Sequence, residues 1–134
     1  MLLITAILWG STPIIEKIGL TKVQPLTGVT IRSIAVIVAL FLFLLFTGKI
    51  KETLAVDFKT IVIFSISGIL AGLIGMITYF AALRAGATSE IVPIAATYPL
   101  VTAILSVLIL GEQITPFRII GTTLIVIGIW LVQI

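Results

Sequence analysis

Residues 27–47 read TGVTIRSIAVIVALFLFLLFT, a stretch with one charged side chain, Arg32. A helix rises 1.5 Å per residue, so about 20 mostly apolar residues cross the hydrocarbon core of a bilayer. Four other stretches fit the same description, at about residues 2–20, 60–85, 89–110 and 115–134. The connectors at 21–25, 48–59, 86–88 and 111–114 carry the Gly, Pro and charged residues that interrupt helices. The pattern predicts an all-α integral membrane bundle of five transmembrane helices, with residues 1–134 as one transmembrane domain. Residues 1–8 lack the basic start of a signal peptide and no small-residue cleavage site follows, so the first helix is expected to be retained.

Composition agrees. Hydrophobic residues make up 60% of the chain and charged residues 10%, against about a quarter charged in soluble domains. Mean hydropathy is +1.40. With no Cys and no His, the chain has no disulfides, thiol nucleophiles, imidazole bases or usual zinc ligands, so neither a metal nor another cofactor is expected. Eight Lys/Arg against five Asp/Glu are spread along the sequence, not gathered in the basic stripe that nucleic acid requires.

Five crossings place the termini on opposite sides of the membrane. Orientation follows the Lys/Arg bias of the loops. Lys49, Lys51, Lys59 and Arg118 fall on the N-terminal side, and Lys17, Lys22, Arg32 and Arg84 on the other. Four against four favours neither orientation and points to insertion in both. The alternative is that Lys17 and Arg32 sit within the membrane and do not count.

Thr5, Trp9, Thr12 and Glu16 share one face of the first helix, beside Pro13. Such a stripe is expected to face the bundle interior or a wet cavity. It is either a substrate-lining surface or helix packing with an interfacial Trp. Arg32 lies about 7.5 Å inside the second helix, at a depth similar to Glu16 and on the same membrane side. Arg84 and Glu90 border that side too. Charges in a membrane pair or draw in water, so Glu16 is expected to meet Arg32 or Lys17. On the third helix Gly68, Gly72 and Gly75 read as a close-packing face that ends at Tyr79. Pro93 and Pro99 interrupt the fourth, with Tyr98 between them, and broken helices recur at midplane binding sites. Gly121, Ile125, Gly128 and Val132 form a stripe on the fifth that suits a partner surface.

The run YFAALRAGAT at 79–88, the prolines at 93 and 99, and LGEQIT at 110–115 together resemble the drug/metabolite transporter superfamily of EamA type. Trp9-Gly10-Ser11-Thr12 and Arg32 match as well. Full members of that superfamily have ten helices in two inverted repeats of five, so the resemblance implies one repeat, as in a half-size branch. The Gly121–Gly128 pattern is similar to the dimerisation motif of the small multidrug resistance transporters, which work as antiparallel dimers. The resemblance implies secondary transport of small metabolites or organic cations by alternating access, and no enzymatic activity.

The sequence expectation is therefore an antiparallel homodimer in the plasma membrane. Its substrate cavity is expected to contain Trp9, Ser11, Thr12, Glu16, Arg32, Tyr79, Tyr98 and Pro99, with dimer contact through Gly121, Ile125 and Gly128. The aromatics and Glu16 suit a cation; Arg32 and Lys17 suit an anion. The competing expectation is an accessory subunit that transports nothing itself and pairs with another half-transporter chain.

Overall fold

In the computed structural model, which describes residues 1–132, the chain is helical, with no strand among the described residues. α1 (Leu2–Leu20) and α2 (Pro25–Thr47) form a hairpin. A one-turn helix, α3 (Ile50–Leu54), interrupts the connector that follows. The third long helix runs Phe58–Ala85 in three parts: α4 (Phe58–Ser67), a π-helical segment (Gly68–Gly75) and α5 (Met76–Ala85). α6 (Thr88–Ala95), α7 (Tyr98–Leu110) and α8 (Pro116–Leu131) complete the chain.

Local chemistry explains the boundaries. Pro25 opens α2 because its fixed φ suits a first turn, where no N–H is needed. Asp57 caps α4 by accepting from the Thr60 amide at 3.0 Å, which starts that helix two residues before the window read from hydropathy. Thr115 accepts from the Arg118 amide and Pro116 follows it, so α8 begins with a cap and then a proline. Gly48 (φ 68°) and Gly111 (φ 66°) end α2 and α7 in the left-handed conformation, which a Cβ disfavours.

Among the described residues, four helices are long and apolar enough to cross a membrane: Leu2–Leu20, Pro25–Thr47, Phe58–Ala85 and Thr88–Leu110. α8 is apolar but has 16 residues, a length of about 24 Å. The last two positions of the fifth expected window lie outside the described residues.

The chain divides into two compact units, Met1–Arg84 and a second from Ala85 onward. The first has a small packed layer of Leu20, Val29, Phe80 and Leu83, each at most 3% exposed. Most other large apolar side chains are exposed, Phe46 and Phe58 among them. That is the surface expected when lipid is the solvent, because burial against a neighbour gains no hydrophobic free energy over lipid. In the second unit α7 packs against α8.

The glycine face expected on the third helix is not packed. A Cβ built on Gly68 or Gly72 would meet nothing within 4 Å outside its own helix. Both lie in the π-helical segment, whose wider turn moves side chains off the face that 3.6-residue spacing predicts. The interruption expected in the fourth helix is present: α6 ends at Ala95 and α7 starts at Tyr98. Pro99 sits in the first turn of α7 and has no N–H to offer the preceding turn.

Candidate functional site

In the first unit, α1 and α2 diverge around a cavity of about 500 Å³. Its walls are Thr12, Glu16, Gly19 and Leu20 of α1 and Gly28, Ile31 and Arg32 of α2, with Phe80 of α5 closing one side. Arg32 Nε lies 3.5 Å from Glu16 Oε1. The Glu16 side chain is 11% exposed and that of Arg32 43%, so the carboxylate is the deeper partner. Of the two partners expected for Glu16, the geometry selects Arg32. An opposed charge pair inside an apolar wall offers a small ligand two attachment points of opposite sign.

Lys17, one position on, points elsewhere. Its Nζ donates to the Leu83 carbonyl at 2.6 Å and to that of Arg84 at 3.3 Å. It thus caps the C-terminus of α5, where orphan carbonyls and the helix dipole favour a cation. The Arg84 guanidinium donates to Gln24 Oε1 in the α1–α2 connector. Glu90, expected with this cluster, belongs to the second unit.

The other sequence-predicted residues are distributed as follows. Ser11 and Thr12 both donate their hydroxyls to the Leu8 carbonyl, at 3.0 and 2.7 Å. Pro13 is buried and has no N–H for the Trp9 carbonyl. Thr5, Thr12 and Glu16 are half-buried, but Trp9, on the same face, is 67% exposed in the single chain. Tyr79 is half-buried, with its ring 6.2 Å from that of Phe80. It lies within electrostatic reach of Glu16 without lining the cavity.

In the second unit, Tyr98 and Pro99 line a separate cavity of about 630 Å³ between α7 and α8. Glu112 and Arg118 lie on its wall, as do Gly121 and Ile125, two of the three residues expected at a dimer contact. The third, Gly128, is exposed with open space beside it. Among the described residues no three of His, Cys, Asp and Glu come close enough to hold a metal ion.

Gly28 and Phe80 are among the residues of the first cavity that the sequence reading did not single out. A Cβ on Gly28 would lie 3.2 Å from the Phe80 ring and 3.3 Å from Leu20, so any larger residue would push these side chains back by a few tenths of an ångström. The signal for Gly28 was weak: one glycine, four residues before an intramembrane arginine. Phe80 carries only its place in the YFAALRAGAT run at 79–88, which marks the resemblance and not a wall of the cavity.

Several apolar helices long enough to span a bilayer define a multi-pass membrane protein, with an ion pair set into a cavity between two of them. The chain belongs to the EamA-like transporter family, whose profile matches residues 1–134. It is 31% identical over 132 residues to an uncharacterized protein of Methanocaldococcus jannaschii, covering 98% of this chain and 93% of that one. It is 26% identical to an uncharacterized transporter of Archaeoglobus fulgidus, covering 98% of this chain but only 46% of that longer protein. An uncharacterized transporter from Sinorhizobium is 23% identical over 126 residues, 94% of this chain and 89% of the other. No solved structure matches. The membership makes the chain a membrane protein of a transporter family, with lipid around it and a small molecule as its cargo.

Proposed function

We propose that this chain acts as one five-helix repeat of a secondary transporter, and that two copies inserted in opposite orientations enclose the substrate path in the plasma membrane. α8 is the fifth crossing of each copy. The observation that carries the reading is the Glu16–Arg32 pair in the cavity between α1 and α2. Charge is expensive within a membrane span and marks a pathway more often than a structural tie. The match to under half of the Archaeoglobus transporter supports the repeat reading, because it fits one half of a chain built twice over. Opposite insertion is the arrangement by which two copies of one repeat would rebuild an inverted pair around a central site.

The bound substrate is a small metabolite or organic cation, held by Glu16 and Arg32 with Thr12 and Ser11 nearby. Trp9 and Tyr79 provide aromatic surface, and Tyr98 and Pro99 offer a further binding wall in the cavity of the second unit. The stripe of Gly121, Ile125 and Gly128, with open space beside both glycines, meets the other copy, where glycines permit close approach. Rocking of one copy against the other opens the site to each side in turn.

Reconstitution into vesicles, with a panel of small metabolites and cations tested with and without a pH gradient, checks this reading. Flux that Glu16→Gln abolishes is expected. No flux for any compound, together with co-purification of a dissimilar half-transporter chain, overturns it in favour of an accessory subunit.

A further inference from the structure

The third long helix is soft in its middle and tied at its end. Its π-helical segment holds three glycines, and open space surrounds the Cβ positions of Gly68 and Gly72, so bending there meets no neighbour. Glycine also leaves the backbone more freedom than any other residue. Beyond the segment, α5 is only ten residues long. Its two buried side chains, Phe80 and Leu83, belong to the packed layer with Leu20 and Val29. In lipid that apolar contact is held by packing alone, with no gain from leaving water. Polar ties therefore weigh more heavily in fixing α5. They gather at its end: Lys17 on the Leu83 and Arg84 carbonyls, and Arg84 on Gln24.

The geometry points to α5 as a movable wall of the cavity, hinged at Gly68–Gly75 and clamped shut against Gly28 by Lys17, Arg84 and Gln24. Releasing the clamp lets α5 swing outward, withdraws Phe80 from Gly28 and widens the space beside Glu16 and Arg32. Lys17 adjoins Glu16 in sequence, so a ligand that shifts α1 at Glu16 also pulls on the clamp. As a gate for a transported molecule this rests on the transport reading above; as a motion of the chain it stands by itself.

The chain has no cysteine, so paired labels can be placed without background. Nitroxides at Thr21→Cys in the connector and Ala81→Cys on α5, both exposed positions, report the separation by pulsed electron spin resonance. Labelled protein is diluted into unlabelled protein in lipid vesicles so that only separations within one copy are read. One dominant short distance is expected for the otherwise unaltered chain. Lys17→Gln is expected to raise the ratio of long to short distances about tenfold (~1.4 kcal/mol), the size of a charge-assisted hydrogen bond after solvent screening. Lys17→Arg keeps the donor and restores the short distance.

Gln24→Ala removes only an exposed acceptor and gives a smaller shift in the same direction, so the test survives if Lys17→Gln fails to fold. Replacing Gly68 and Gly72 by alanine in the Lys17→Gln background narrows the distribution. Distances that superimpose on those of the unaltered chain in both Lys17→Gln and Gln24→Ala overturn the clamp, whatever the vesicles transport. Distances that shift as expected while no compound is transported and a dissimilar half-transporter chain co-purifies overturn the transport reading and leave the clamp standing.

Discussion

Arg32→Gln strands the Glu16 carboxylate, and the cost follows from the geometry. At 3.5 Å the two charges attract by about 4.7 kcal/mol if the effective dielectric constant is near 20. Arg32 keeps 43% of its side-chain exposure, and well-exposed pairs contribute only about 0–1 kcal/mol, so screening removes much of that attraction. Breaking a fully buried pair costs about 3–5 kcal/mol; this half-shielded one should cost about 1–3 kcal/mol. The pair is asymmetric. Glu16, at 11% exposure, suffers more from losing its partner than Arg32 does, because the arginine reaches the interface. Reversible unfolding in mixed micelles, followed by circular dichroism, gives the four corners of a double-mutant cycle. Arg32→Gln should destabilise more than Glu16→Gln, and adding Glu16→Gln to Arg32→Gln should recover part of the loss. Equal single effects, or a double variant as unstable as the sum of the singles, refute the pairing argument.

Gly28→Val places a branched side chain where a single Cβ already lies 3.2 Å from the Phe80 ring, and overpacking of this kind costs about 1–3 kcal/mol. Phe80→Ala in the same chain should recover part of that stability in the same unfolding assay, and no recovery would dissociate the two residues. Asp57 is held below the ordinary carboxylate range by the hydroxyl and amide of Thr60. With its folded pKa lowered, its capping contribution is full above about pH 4 and fades as pH falls through the depressed value. Amide exchange at the start of α4 should rise over that acid range, and Asp57→Ala should remove the pH dependence. Pro99→Ala returns an N–H to the break between α6 and α7, so amide protection at Thr97 and Tyr98 should increase, and unchanged exchange would mean the proline does not cause the break.

Much of this architecture could be read from the sequence because lipid imposes simple rules. Apolar length located the long helices, and Pro93 and Pro99 located the broken one. The cost of charge within a membrane offers Arg32 or Lys17 as the partner of Glu16 on sequence grounds, and the fold selects Arg32. What escaped the sequence depends on direction in space. The π-helical turn at Gly68–Gly75 is spelled in residues that fit an α-helix equally well, so the glycine face read there dissolved once the turn widened. Lys17 reads in the sequence as a loop charge or as a partner for Glu16, and neither reading reveals its reach to the carbonyls at the end of α5. Trp9 shares a face with Glu16, yet one copy leaves its indole largely uncovered, because helical periodicity fixes a face and not what lies opposite it. Gly28 is intelligible only once Phe80 stands beside it, and 52 positions separate the two.

Opposite insertion of two copies is the claim on which the transport path depends. Reporters fused to the C-terminus test it directly, one active only inside the cell and one only outside. Comparable signals from both are predicted, and added Lys residues in the loop of α3 should tip the balance toward one. A signal from one reporter alone, unmoved by those charges, would contradict the antiparallel pair.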